Sequence, residues 1–150
     1  MVIDPAVEKP AIESFNRISR ITKYPTTYHL PALFGFGDSI KIKKNVIGII
    51  VLGSAASVHD GFSWQEELTN ILEESFENKI PVIGICYGHQ HIAHICGGKV
   101  GPLWDDNKKQ GVRNVKLIKD TLYGDACNGP MIYSHKEGVT EIPKGFEIIA

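Results

Sequence analysis

Three cysteines, Cys86, Cys96 and Cys127, are all that this chain of 150 residues contains, and no C-x-x-C spacing occurs among them. So sparse and odd a set argues against a disulfide framework and suits a reducing, cytoplasmic compartment. An excess of charge of one sign is also lacking. Lys and Arg number 16 against 17 Asp and Glu, a net charge of -1. The basic residues are dispersed, with Lys41, Lys43 and Lys44 as the only tight cluster, read here as a solvated loop. A nucleic-acid partner is therefore not expected. No apolar run approaches membrane-spanning length, and no charged n-region precedes an apolar h-region at the N-terminus, so no membrane association is expected. Repeats and low-complexity stretches are absent. What remains, with 43% hydrophobic residues, is the composition of one globular domain able to bury a core.

The pattern along the chain alternates between strands and helices. Met1 to Ile3 reads as a short strand, and Ile12, Phe15, Ile18 and Ile21 form the apolar stripe of a helix with Pro25 beyond its end. Thr26 to Leu30 reads as a second strand, and the Gly- and aromatic-rich Pro31 to Ser39 as a loop. The apolar run Val46 to Leu52, stopped by Gly53-Ser54, suits a strand buried on both faces. Ser63-Trp64-Gln65-Glu66 has capping-box spacing and opens a helix with Trp64, Leu68, Ile71, Leu72 and Phe76 as its buried stripe. A strand over Ile80 to Ile85 then runs directly into a helix that ends at Gly97-Gly98. The last third predicts strands over Val112 to Ile118, Met131 to Tyr133 and Phe146 to Ile149. Strand–helix alternation predicts an α/β fold with a mostly parallel central sheet and helices on both faces. In such sheets ligands collect at the carboxyl ends of the strands, where Cys86 and Gly53-Ser54 both fall.

The stretch with the most chemical content is Gly84-Ile85-Cys86-Tyr87-Gly88. A lone cysteine ending an apolar strand ordinarily reads as core, because free cysteine is among the most buried residue types. Glycines two before and two after it, with a helix starting on the spot, point instead to a nucleophile elbow. There the nucleophile occupies a strained strand-to-helix turn that leaves no room for flanking side chains. The first N–H groups of the helix would lower the thiol pKa and stabilise an oxyanion. The Tyr87 N–H is one candidate donor, and the turn at Gly53 and Ser54 offers a second from a facing strand end. A base is harder to place. His89, His91 and His94 fall on the elbow helix, but His89 and His91 point to different sides, so no metal is assigned to them. His135 ends a strand and could approach the site, but no carboxylate is expected at the two-residue spacing that would orient it.

Gly84-Ile85-Cys86-Tyr87-Gly88-His89-Gln90 resembles the nucleophile motif of class I glutamine amidotransferases, and Gly97-Gly98-Lys99-Val100 continues the likeness. The segment from Ser134-His135-Lys136-Glu137-Gly138-Val139 to Ala150 is similar to the amidotransferase domains of GMP synthetases. Leu52-Gly53-Ser54-Ala55 resembles the family's oxyanion strand, where Gly-Gly-Pro is usual. The resemblance implies a flavodoxin-like fold for residues 1–150 and no cofactor. It implies that Cys86 attacks the side-chain amide of L-glutamine, with Gly53, Ser54 and Tyr87 binding the oxyanion. Gln90 would contact substrate, and Ser134, His135, Lys136 and Glu137 would hold its α-amino and α-carboxylate ends. The ammonia would pass to an acceptor, with a separate synthetase subunit as one candidate. Two substitutions depart from the family: Ser54 stands for a glycine, and Lys136-Glu137 for Gly-Asp or Gly-Phe.

The family's His-x-Glu base pair belongs on a strand beyond Ala150. The chain is therefore expected to be an amidotransferase domain cut before its base, with incomplete C-terminal strands and no activity of its own. A catalytically dead regulatory or subunit-binding relative is the alternative. A cysteine hydrolase of the α/β-hydrolase type would share the elbow but leaves Gln90 and the Ser134 to Ala150 segment without a role.

Overall fold

A computed structural model describes residues 1–37, 45–105, 107–118, 120 and 125–149. The Lys41, Lys43 and Lys44 cluster lies outside them. The chain divides into two compact units, Met1–Ile95 and Cys96–Ala150.

The first unit is built on a parallel sheet of β1 (Val2–Ile3), β2 (Tyr28–His29), β3 (Ile49–Val51) and β4 (Val82–Gly84), in the order β2-β1-β3-β4. This is the beginning of the flavodoxin-like order, in which the direction of winding reverses between β1 and β3. The helices α1 (Ile12–Ile21), α2 (Pro31–Phe34), α3 (Ser63–Glu77) and α4 (Tyr87–Ile95) connect and flank the strands. The core lies between sheet and helices: Val2, Ile3, Ile49 and Val51 from the strands meet Leu68 and Leu72 of α3 and Tyr87 of α4, all essentially inaccessible to water. Burial on this scale contributes about 1.5–3 kcal/mol for each large apolar side chain. Among the described residues no helix is long and apolar enough to cross a membrane.

Several expectations need correction. The run Val46 to Leu52 is a strand only over Ile49–Val51, where β1 and β4 supply hydrogen-bonding partners on either side. Pro31 to Phe34, expected in a loop, form a short helix, because Pro31 at its first position needs no N–H partner there. The helix expected around Ile12, Phe15, Ile18 and Ile21 is present as α1, but no residue of it is buried, and Phe15 stacks on Tyr28 with ring centroids 4.4 Å apart. In α3 the N-cap is Phe62, not Ser63. Phe62 has no side-chain acceptor, but Gln65 Oε1 accepts its backbone N–H at 2.8 Å, so the reach-back half of the box is made one register earlier. Trp64, Leu68, Ile71 and Leu72 are buried as expected, whereas Phe76 is exposed.

The second unit holds two antiparallel pairs. One joins β5 (Lys99–Pro102) to β8 (Glu137–Glu141), with the Lys99 ammonium paired to Glu141 across the strands. The other is the long ribbon of β6 (Lys109–Lys116) and β7 (Asn128–His135). On one face of that ribbon Arg113 lies over both Trp104 and Tyr133, at 5.1 and 4.6 Å from the ring centroids. The β5 and β8 strands are not expected from the sequence. Phe146 to Ile149, expected as a strand, has no strand conformation, although Ile149 accepts one backbone hydrogen bond from Ile118.

Candidate active site

Chain geometry alone dictates what surrounds Cys86. Strand β4 ends at Gly84 and α4 begins at Tyr87, so two residues must turn the backbone from strand to helix. Cys86 does this with φ 54°, a left-handed conformation that a side chain disfavours by about 1–3 kcal/mol. The neighbours hold it there. Ile85 N–H donates to Val51 O at 2.8 Å, Gly88 N–H to Leu52 O at 3.2 Å, and Gln90 N–H to Cys86 O at 3.0 Å.

The two flanking glycines are required by close approach. A Cβ on Gly84 would lie 2.5 Å from the Gly88 carbonyl carbon and from His89 N, and one on Gly88 would lie 2.4 Å from Val51 O. Real Cβ atoms do not come so near backbone, so the elbow closes only with glycine at both positions. The Cys86 side chain is half-buried.

Gly53, just past β3, stands opposite the thiol. A Cβ built on it would be 3.3 Å from Cys86 Cβ and 3.7 Å from Cys86 Sγ. The carboxyl ends of β3 and β4 thus bring Gly53 and Cys86 together, as their strand-end placement predicts. Ser54 is held by its own side chain. Its hydroxyl donates to Pro5 O at 2.7 Å and accepts Ala56 N–H at 3.1 Å, so the residue standing for a glycine ties the turn to the segment after β1. Tyr87 opens α4, where the first N–H groups have no carbonyl of their own helix to bind. Gln90, one turn on, is buried.

Behind the elbow lies a chain of buried polar side chains. Gln65 Nε2 donates to Tyr87 Oη at 2.8 Å and to Ser57 O at 2.8 Å. The Tyr87 hydroxyl is 3.2 Å from His91 Nδ1, and His91 Nε2 is 3.0 Å from Thr69 Oγ1. Gln65 Nε2 can only donate, so the Tyr87 oxygen accepts from it and keeps its own proton for an acceptor. We assign that acceptor as His91 Nδ1, which makes His91 the neutral tautomer with its proton on Nε2, facing Thr69. Burial holds His91 down to a pKa of about 4, with the charge of His94 adding to the effect. Burial pushes the Tyr87 hydroxyl up to about 12, opposed by its Gln65 hydrogen bond and reinforced by the Asp60 charge. None of these partnerships is expected from the sequence, where Gln65 reads as part of a helix cap and His91 as an unassigned histidine. The only hint there is a glutamine beside Trp64 on the apolar stripe.

Ser134, His135, Lys136 and Glu137 belong to the second unit, at the junction where β7 ends and β8 begins. His135 stacks on Tyr133, with centroids 6.5 Å apart. Glu137 stands two residues after His135, which corrects the expectation that no carboxylate occupies that spacing. Among the described residues no group of three or more His, Cys, Asp or Glu side chains is arranged to hold a metal ion.

A family model described as "Glutamine amidotransferase class-I" matches residues 18–150. The GMP synthase [glutamine-hydrolyzing] of Porphyromonas gingivalis is 37% identical over 110 residues, covering 71% of this chain and 20% of that protein. The corresponding protein of Streptococcus thermophilus is 38% identical over 109 residues, again 71% and 20%. The chain thus spans about a fifth of the length of the curated relatives it matches. A crystal structure of a glutamine amidotransferase from Thermotoga maritima superposes with a TM-score of 0.75 at 17% identity, over 96% of this chain and 64% of that one. One from Methylobacillus flagellatus gives 0.68 at 19%, over 97% and 57%. Those two likenesses concern the fold, and they agree with the parallel sheet seen here. With the family match over nearly the whole chain, and an elbow closed by two indispensable glycines, the protein belongs to the class I glutamine amidotransferase family.

Proposed function

We propose that residues 1–150 carry the nucleophile and the oxyanion pocket of an amidotransferase domain, whose chemistry is the release of ammonia from L-glutamine through a thioester on Cys86. The Cys86 sulfur attacks the side-chain carboxamide carbon, and the tetrahedral intermediate places its oxyanion among the N–H groups of Tyr87 and the Gly53-Ser54 turn. Collapse breaks the C–N bond, ammonia departs with the thiol's proton, and a γ-glutamyl thioester remains. Water then hydrolyses the thioester to glutamate and restores the thiol. Gln90 would contact the substrate, with Ser134, His135, Lys136 and Glu137 holding its α-amino and α-carboxylate groups. No cofactor enters these steps. The ammonia would serve a synthetase active site, carried on the same polypeptide as in the GMP synthase relatives or on a separate subunit. The sparse, odd-numbered cysteines suit a cytoplasmic setting.

The observation that carries this reading is the Cys86 conformation, with φ 54° and a Gly53 Cβ position 3.7 Å from its sulfur. A strained, half-buried thiol facing a turn without a side chain fits a reacting centre better than a packing position. Irreversible labelling tests it. A chloroketone analogue of glutamine should modify Cys86 stoichiometrically, and L-glutamine but not L-asparagine should protect it. Labelling indifferent to glutamine would sink the proposal. On the same reading no base is assigned within residues 1–150, so this chain should be labelled yet release almost no ammonia over many turnovers. Sustained, Cys86-dependent ammonia release from this chain would overturn the expectation that its base is missing.

A further inference from the structure

The apolar stripe of α3 carries a polar side chain, Gln65, that is 5% exposed and has three of its four hydrogen-bonding directions occupied. Gln65 accepts the Phe62 N–H through Oε1 and donates its two Nε2 protons to Ser57 O and Tyr87 Oη, all at 2.8 Å. Its two donor bonds end on different parts of the candidate site. Ser57 closes the turn that begins at Gly53, and Tyr87 follows the nucleophile. The beginning of that turn is fixed separately by Ser54, through Pro5 O and Ala56 N–H. The turn is therefore pinned at both ends, and the distal pin is shared with the elbow.

We propose that Gln65 is a positioning residue for the oxyanion pocket, holding the Gly53–Ser57 turn and the Tyr87 side chain at one fixed separation. This rests on the amidotransferase reading of the site. Two donors stabilise a developing oxyanion only when both lie about 2.7–3.1 Å from the same point. These two come from adjacent strand ends, joined at the start of the turn by Gly88 N–H to Leu52 O, and Gln65 ties the far end of the turn, at Ser57, to Tyr87. A side-chain amide is suited to the task, because it is planar, uncharged and has two protons to divide between two acceptors. An apolar residue at position 65 would fill the stripe but leave Ser57 O and Tyr87 Oη without this partner.

The test compares a ligand that needs the pocket with one that does not. The γ-aldehyde analogue of glutamine forms a reversible thiohemiacetal whose oxygen occupies the oxyanion position, whereas iodoacetamide alkylates any accessible thiolate. Gln65→Leu should weaken aldehyde binding at least tenfold while leaving the iodoacetamide rate at Cys86 within twofold of wild type. A purely structural role would move both together. If Gln65→Leu fails to fold, Tyr87→Phe removes only the hydroxyl joining Gln65 to the elbow and should give the same split. Aldehyde bound equally well by wild type and variant overturns the role of Gln65 alone. Wild-type protein that ignores the aldehyde overturns the amidotransferase reading, and this proposal with it.

Discussion

Lowering the pH from neutrality should destabilise this fold through His91. The ordinary imidazole pKa is 6.5 and the folded value is about 4, with burial as the main cause. The folded-state value is depressed, so the neutral form is the one the fold favours. Its contribution is complete above 6.5 and is lost as the pH falls toward 4, because the unfolded chain binds a proton that the folded chain refuses. Each tenfold difference in proton affinity between the two states is worth about 1.36 kcal/mol. The full loss is therefore about 3 kcal/mol, of which about 2 kcal/mol falls between pH 7 and pH 5. The network explains the refusal. A proton on Nδ1 would have to displace the hydrogen bond from the Tyr87 hydroxyl, since Nε2 is already committed to Thr69. Urea unfolding of wild type and His91→Gln at the two pH values isolates the effect, because other titrating groups cancel in the difference. The stability gap between the proteins should narrow by about 2 kcal/mol at the lower pH. Nitrogen-detected imidazole spectra should show His91 as the Nε2–H tautomer throughout that range. A gap that does not change with pH, or a tautomer protonated on Nδ1, would refute the assignment.

Two further substitutions probe the frame of the site. Gly88→Ala forces a methyl to within 2.4 Å of Val51 O, so α4 must leave the sheet. We expect a loss of at least about 3 kcal/mol by thermal or urea unfolding, at the upper end of overpacking costs, and a stable Gly88→Ala protein would contradict the elbow geometry. Gly53→Ala is milder: its methyl would touch Cys86 Cβ at 3.3 Å and fill space beside the sulfur. Melting should change by less than about 1 kcal/mol while labelling by the glutamine chloroketone slows at least tenfold, and unchanged labelling would remove Gly53 from the site.

How far the sequence reveals this structure depends on the range of the interactions involved. The elbow is legible because both of its steric requirements fall on glycines within five residues, Gly84 to Gly88. The meeting of Gly53 with Cys86 is legible because parallel strands align their carboxyl ends. The contacts of Gln65 with Tyr87 and of Thr69 with His91 each span 22 residues and depend on the rotation of α3 against α4, which periodicity does not specify. Buried polar residues on an apolar face then look like interruptions rather than a network. The short elements α2 and β5 escape for a different reason: four residues are too few to show a period. Phe146 to Ile149 has strand composition, but composition cannot supply the partner that makes a strand.

The helix α1 leads to a different conclusion. With no side chain in the core, it is tethered chiefly through what precedes it. The fully buried Asp4 carboxylate accepts the N–H groups of Ala6 and Ala11 at 3.2 and 2.7 Å and the hydroxyl of Tyr28. One carboxylate thus governs where an entire helix starts. Substitutions at the exposed positions of Ile12–Ile21 should consequently be tolerated, Phe15 excepted because it stacks on Tyr28, whereas a change at Asp4 should not.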